Sequence, residues 1–285
     1  MTEEISPGWS AAADGPAENF PGRTGALLAG IAVAALAVVA AYAAFVRAVR
    51  REARAAAARA DFVATVSHEL RTPVAVVRTS AETLLADRAP RDEDRRTLLG
   101  AILRESERLS GLLGNVLDFA RIDAGTRRYA FRDVPVRDLV EETVRRTAPV
   151  LAAGGFRVDV DVRGDPGTLH ADADALGAAL ANLLDNAAKF RGTGDHATVR
   201  VEGDAASVTI DVEDHGVGVP NAEKPHVFER FFRGSDPRVR ETRGSGIGLA
   251  LVRHAVEAHG GRVTVRDTPG GGATFRIALP RRGRD

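Results

Sequence analysis

The chain has no cysteine, which removes disulfides, thiol catalysis and Cys-based zinc sites together. It has no charge imbalance either. Its 39 Lys and Arg stand against 39 Asp and Glu, so the basic excess typical of nucleic-acid binders is missing and no direct nucleic-acid partner is expected. The seven histidines, at 68, 170, 196, 215, 226, 254 and 259, form neither a helical pair nor an H-E-x-x-H run, which argues against a zinc enzyme. No internal repeat occurs, and no low-complexity stretch outside one alanine-rich run. A length of 285 residues leaves room for two or three modules, each able to bury a core if its helices pair.

The alanine-rich run is the one extreme of composition. Residues 25–46 carry no charge and are mostly Ala, Val and Leu, long enough at about 1.5 Å per residue to cross a hydrocarbon core of about 30 Å. A secretory signal peptide is the alternative, but the run exceeds the usual h-region and lacks a strongly basic flank before it. Arg47, Arg50, Arg51 and Arg54 follow it, whereas Glu3, Glu4, Asp14 and Glu18 precede it with Arg23 as the lone base. By the positive-inside rule the C-terminal bulk is cytoplasmic, which gives a single-pass protein of the cell membrane. The outer tail, residues 1–24, is rich in Gly, Pro, Ala and Ser and too short for a folded sensor domain.

Residues 47–88 read as one long helix with Pro73 the only breaker and a bend allowed there. Ala89-Pro90-Arg91-Asp92 supplies a turn with Asp92 as N-cap, and a second helix runs to about Ala124, where Gly125 ends it. Leu99, Ile102, Leu109, Leu113, Val116 and Ala120 share one stripe of that helix and match Val63, Val66, Leu70 and Val77 on the first. Such a hairpin has half a core, and a second copy completes a four-helix bundle, so a homodimer is expected. After Tyr129 strand-like runs (156–162, 198–201, 207–212, 262–266, 273–279) alternate with helical ones (136–152, 174–190, 247–259), the texture of an α+β domain.

Four clusters and one loop can carry chemistry. His68, in Ser67-His68-Glu69-Leu70-Arg71-Thr72-Pro73, lies about 170° round its helix from the apolar stripe, so the imidazole points to solvent. A lone exposed histidine is usually inert. Glu69 is placed to orient the ring or take its proton, and Thr72, at i+4 on the same face, can position a water, although a surface threonine needs no task. In Asn182-Leu183-Leu184-Asp185-Asn186-Ala187-Ala188-Lys189-Phe190, the side chains of Asn182, Asn186 and Lys189 fall within a ~60° arc while Leu180, Leu183, Leu184 and Ala187 occupy the other face. Amide oxygens suit Mg²⁺ and a lysine one turn on suits its phosphates; a plain solvated helix face fits the same pattern. Asp214, with Gly216 and Gly218 after a strand, offers an acceptor for an exocyclic amine and backbone that can approach a flat ring, or a tight turn. Gly244-Ser245-Gly246-Ile247-Gly248-Leu249 opens a helix, where N–H groups and the dipole favour phosphate; a Rossmann site is disfavoured because no βαβ unit surrounds it. Phe228-Glu229-Arg230-Phe231-Phe232-Arg233 and the polar stretch to Arg243 suit a lid with an aromatic anchor, or an ordinary surface loop.

In order and spacing these segments resemble the H, N, G1, F and G2 boxes of sensor histidine kinases, over residues 60–281. The resemblance implies His68 as phosphoacceptor, Glu69 as its helper and Thr72 as the threonine of a phosphatase-type H-E-x-x-T pattern. It implies Asn182 and Asn186 around Mg²⁺, Lys189 on phosphate, Phe190 against the adenine of ATP and Asp214 reading the adenine amino group, with Gly216 and Gly218 in the same loop. Gly244, Gly246 and Gly248, with Ser245, Ile247 and Leu249 between and after them, would hold the triphosphate; Arg230 and Arg233 would serve the lid, and Thr274 matches a further adenine-side position. The partner implied is the receiver aspartate of a response regulator.

The expected architecture is thus the tail 1–24, a transmembrane helix 25–46, a juxtamembrane helix 47–60, a dimeric helical hairpin for histidine phosphotransfer 61–125, a linker 126–134, a two-layer α+β sandwich of the GHKL (Bergerat) ATPase type 135–281, and a tail 282–285. This plan departs from the common family one in having one membrane helix, no folded outer domain and no room between Arg47 and Asp61 for a relay module, so the stimulus is expected to arrive through the membrane helix or a membrane partner. His215 also stands where a smaller polar residue is frequent. A hydrolase-type ATPase would have no need of His68 on an outer helix face, and a silent membrane-tethered dimerisation module would have no need of Asn186, Asp214 and the glycine loops.

Overall fold

The computed structural model describes residues 21–86, 91–192, 194–242 and 244–281, so residues 1–20 of the tail expected over 1–24, the tail 282–285 and the Ala89-Pro90 turn lie outside the described residues, while residues 21–24 of that tail are already helical. The chain divides into two compact units, Met1–Ala57 and Ala58–Asp285. Helix α1 (Pro21–Leu85) begins in the first. There Val33–Arg50 is long and apolar enough to cross a membrane, with a mean hydropathy of 1.8, and Leu28, Leu36, Tyr42 and Phe45 are exposed. A helix of this length and composition suits a hydrocarbon solvent.

In the second unit α1 continues through Pro73, and α2 (Asp92–Asp123) follows. Asp92 is the first helical residue of α2, not its N-cap. The cap position belongs to Arg91, which is extended (φ −96°, ψ 142°) and contributes no side-chain bond. Asp92, Glu93 and Asp94 fill the first turn instead, where carboxylates meet the positive end of the helix dipole. Gly125 closes the other end as expected: at φ 66° its N–H reaches the Ile122 carbonyl (3.0 Å), and Thr126 N–H reaches that of Arg121 (2.9 Å). Pro73 and Ser80 are buried, yet α2 buries no residue fully and Val63, Leu99 and Leu113 stay exposed, so the apolar stripe stands open.

The remainder is a two-layer sandwich. Strands β2 (Arg157–Arg163), β4 (His196–Gly203), β5 (Ser207–Asp214), β6 (Arg262–Asp267) and β7 (Ala273–Pro280) form one sheet in the order β2-β4-β5-β7-β6, antiparallel except for the β2–β4 pair. Helices α3 (Val136–Ala153), α4 (Ala173–Lys189) and α6 (Gly248–Ala258) supply the other layer. β1 (Arg132–Pro135) and β3 (Thr168–Ala171), absent from the sequence-based expectation, pair as a separate ribbon, and a short α5 (Pro237–Glu241) lies in the stretch between Phe232 and α6. The register sets Val199 opposite Val212 and Val212 opposite Phe275, so alternate residues of β5, from Val208 to Asp214, face the helices. On the other face Asp211 is covered by Arg266 and Arg276. Leu180, Leu183 and Leu184 of α4 are buried against this sheet, each contributing about 1.5–3 kcal/mol by leaving water. That burial also fixes which way the opposite face of α4 points.

Residues 126–134 are tied to both halves. Arg127 pairs with Asp118 of α2, while Ala130 N–H donates to Asp172 Oδ2 (2.9 Å). Asp172 is the N-cap of α4 through Oδ1 and Ala175 N–H; burial works to raise its carboxyl, but the backbone donors outweigh it and hold it below the ordinary range. His259 completes the junction, accepting from Asp172 N–H on Nε2 (2.9 Å) and donating from Nδ1 to the Ala255 carbonyl (2.7 Å).

Candidate functional site

A cleft of about 1260 Å³ opens beside α4. The face of α4 turned away from the buried leucines presents Asn182, Asn186 and Lys189 to it, and Phe190 follows at the helix end. Lys189 Nζ is paired with Asp185 at 2.5 Å. The cleft is also lined by Asp214 at the end of β5, Gly218 beyond it, Arg233, and Gly244, Ser245, Gly246, Gly248 and Leu249 at the start of α6. The sequence-predicted segments therefore meet around one cavity, although they come from four different stretches of chain.

Asp214 is 7% exposed, and its Oδ1 accepts two backbone N–H groups, from Gly216 (2.9 Å) and Ala273 (3.0 Å). Oδ2 has no protein partner among the described residues. Burial pushes this carboxyl above the ordinary range, against the opposing pull of those N–H groups and of His215. The loops around it pass too close for side chains: a Cβ on Gly216 would collide with the Phe190 carbonyl oxygen, and one on Gly272 (φ 100°) with that of Asp214. His215 Nδ1 donates to the Gly271 carbonyl at 3.3 Å and adds a third stitch between the same loops.

Four of the residues expected to bind the nucleotide are not on the cleft wall. Gly216 serves the close approach just described and Ile247 is fully buried, anchoring its loop from below. Thr274 is 1% exposed with its hydroxyl on Thr268 Oγ1 (2.8 Å). It is opposite in parity to Ala273 and Phe275, which share the helix-facing side of β7 with the cleft, so a strand's alternation turns it away. Arg230 points to α2, where it pairs with Asp123 and lies 5.5 Å over the Phe119 ring. Arg233 does line the cleft and donates to the carbonyls of Val239 (3.1 Å) and Thr242 (2.7 Å), bracing the α5 segment.

The cleft also has walls that sequence reasoning missed: Thr268 and Phe275, Glu223, which accepts from Ser235 N–H (2.9 Å), and Asn115 of α2. Asn115 Nδ2 donates to Asn182 Oδ1 at 3.3 Å, so one of the two amides expected around a metal is already engaged. The donor set remains suited to Mg²⁺: Asn186 offers a neutral hard oxygen on the wall of the cleft that the glycines also line, where phosphate oxygens would complete the shell. Phe231, in the left-handed region at φ 64°, donates its N–H to the Gly246 carbonyl (2.9 Å) and sets its ring edge-on to Phe119 at 5.3 Å. That conformation costs a non-glycine residue roughly 1–2 kcal/mol and holds only where its surroundings impose it.

His68 is exposed on α1 and does not line the cleft. Glu69 does, half-buried, with Oε1 shielded and without a hydrogen-bond partner among the described residues. Thr72 is half-buried one turn beyond His68.

Residues 58–125 match the family described as His Kinase A (phospho-acceptor) domain, and residues 171–283 match the histidine kinase-, DNA gyrase B-, and HSP90-like ATPase family. The sensor-like histidine kinase SenX3 of Mycobacterium tuberculosis is 38% identical over 231 residues, 80% of this chain and 55% of that protein. The signal transduction histidine-protein kinase/phosphatase MprB of Mycolicibacterium paratuberculosis is 38% identical over 234 residues, 79% of this chain and 43% of its own. The chain thus spans about half the length of the curated relatives it matches. Among solved structures, full-length ShkA in complex with AMPPNP is similar over 76% of this chain and 45% of its own, at 29% identity and a TM-score of 0.53. The histidine kinase AdeS of Acinetobacter baumannii shares the fold over 76% of this chain and 98% of its own, at 19% identity and a TM-score of 0.53.

Proposed function

This chain belongs to the sensor histidine kinases of two-component systems, and from that premise we propose that it transfers the γ-phosphoryl group of ATP to His68 and then to an aspartate of a response regulator. The observation that carries the proposal is the cleft that gathers Asn186, Lys189, Asp214 and the glycines of 244–248 in a chain whose α1 also exposes His68.

Asp214, through Oδ2, accepts from the adenine amino group, and Phe190 covers the ring. The N–H groups at the start of α6 and the Lys189 ammonium, once released from Asp185, take the phosphates. Asn186, with Asn182, would hold Mg²⁺, which neutralises phosphate charge when bound. A neutral His68 ring nitrogen attacks the γ-phosphorus in line. The N–P bond forms, the bond to the bridging oxygen breaks, ADP leaves with the electron pair, and the proton of the other ring nitrogen passes to Glu69 or to water. Because His68 stands outside the cleft, the nucleotide must be carried to it, and catalysis consists mostly of positioning and charge neutralisation. Thr72, on the His68 face, serves dephosphorylation of the regulator; the relative MprB is named a kinase/phosphatase.

A second copy of the chain covers the open stripe of 61–125, giving a homodimer, and the sandwich of 135–281 is the catalytic domain. The apolar helix of 25–46 anchors the protein in the cell membrane with a single span and its catalytic part in the cytoplasm. Incubation with γ-labelled ATP tests the whole scheme. His68→Gln should abolish acid-labile labelling and leave nucleotide affinity nearly unchanged, whereas acid-labile label at the wild-type level in that variant would overturn the phosphoacceptor.

A further inference from the structure

Three residues at i, i+4 and i+8 on the last turns of α2 face the catalytic domain, and each meets a part of the nucleotide site. Asn115 donates to Asn182 Oδ1 at 3.3 Å, Phe119 packs edge-on against Phe231 at 5.3 Å, and Asp123 pairs with Arg230. Phe231 is in turn bonded through its N–H to the Gly246 carbonyl, so a ring held on α2 also holds the phosphate loop. A Cβ on Gly248 would lie 3.4 Å from the same Asn182 oxygen, which sits where the helix start, α4 and α2 converge.

We propose that this stripe of α2 is a latch that competes with Mg²⁺-nucleotide for Asn182 and for the base of the lid. An amide N–H aimed at an oxygen and a divalent ion bound to that oxygen repel each other, so the Asn115 bond and metal coordination by Asn182 oppose one another. Arg230 and Phe231 are likewise committed to α2 and are missing from the cleft wall. The proposal rests on the cleft taking a Mg²⁺-bound adenine nucleotide. The apparent dissociation constant is then the intrinsic one divided by the fraction of unlatched chains, and two exposed contacts of this kind are worth about three- to tenfold in that fraction.

The test uses the full chain in detergent or lipid nanodiscs, with AMPPNP displacing a fluorescent ATP analogue at equilibrium. Phe119→Ala combined with Asp123→Ala should tighten AMPPNP binding about three- to tenfold with Mg²⁺ present. Asn115→Ala should tighten it more in Mg²⁺ than in EDTA. Asp123→Arg alone should likewise tighten binding, a gain that a misfolded variant cannot show. Because the chain has no cysteine, Asp123→Cys with Arg230→Cys can be bridged by a short bis-maleimide, and the bridged chain should bind more weakly than the unbridged one. Unchanged or weaker binding by the double-alanine variant, or equal binding after bridging, overturns the latch while leaving the kinase intact. A wild-type chain that binds no Mg²⁺-nucleotide overturns both.

Discussion

Replacing Asp214 with Asn inverts the chemistry of one atom and preserves the rest. Asn Oδ1 can still accept the N–H groups of Gly216 and Ala273, at 2.9 and 3.0 Å in the native chain, so the loops keep their stitches. The second position becomes an NH₂ group facing the adenine amino group, donor against donor. A hydrogen bond to a charged acceptor is worth about 1.5–3 kcal/mol, and leaving its partner unsatisfied in a buried place costs about 1–3 more; even about 3 kcal/mol in total weakens ATP binding more than a hundredfold. GTP carries an oxygen at the corresponding ring position, so Asp214→Asn should lose ATP affinity without losing GTP affinity, and the preference between them should collapse. Stability should move the other way. Burial raises the Asp214 carboxyl, so between the ordinary carboxylate value and the raised one the folded chain holds more protons than the unfolded chain. The contribution of Asp214 to stability is therefore complete below that window and is lost as pH rises through it, and the variant lacks this loss. Competitive displacement with ATP and GTP, together with thermal melts from about pH 4 to 8, measures both. ATP binding within threefold of wild type, or a variant melting clearly below wild type at neutral pH, would refute the role given to this carboxylate.

Two further substitutions separate the other proposed roles. Asn186→Ala should lose most of the Mg²⁺-dependent part of nucleotide affinity, about tenfold or more, while binding in EDTA stays unchanged, as read by titration of AMPPNP with and without the metal. Thr72→Ala should keep self-labelling on His68 and slow dephosphorylation of a phosphorylated receiver domain by about tenfold or more, measured as loss of label from the regulator; equal rates would show that the hydroxyl has no part in it.

The elements most legible in the chain were those whose side chains partition between water and a core. Leu180, Leu183, Leu184 and Ala187 mark the buried face of α4, and so they also mark the opposite face that carries Asn182, Asn186 and Lys189 to the cleft. The strand over 207–212 was readable for the same reason and ends two residues later, at Asp214 itself. β1 and β3 were not readable, being four residues each with one buried position in the first and two in the second. Thr274 was placed by likeness of motif, although the alternation of β7 turns it from the cleft side that Ala273 and Phe275 share. Gly216 and Ile247 sit inside cleft motifs yet act through backbone clearance and burial, which a pattern of letters does not distinguish from contact. Arg230 shows the other limit, since a long exposed arginine goes to whichever carboxylate the tertiary structure brings near, and here that is Asp123, 107 residues earlier in the chain.

Helix α2 shows why one of its functions was visible and the other was not. Its apolar stripe, centred on Ile102, Leu109 and Ala120, repeats through most of the helix, and water alone selects for such a stripe whatever covers it. Asn115, Phe119 and Asp123 lie roughly 100° further round at about 100° per residue, and they share no common polarity: an amide, a ring and a carboxylate. Only the three different groups opposite them, the Asn182 amide, the Phe231 ring and the Arg230 guanidinium, make them a set. The two faces are far enough apart for both to be occupied at once. Leu99 and Leu113 are 56% and 53% exposed although the catalytic domain is docked on the neighbouring face. A second copy can therefore close the bundle without displacing the catalytic domain, and the catalytic domain can leave α2 without opening the bundle. That independence lets a helix hold a dimer together permanently while it holds a nucleotide site only part of the time.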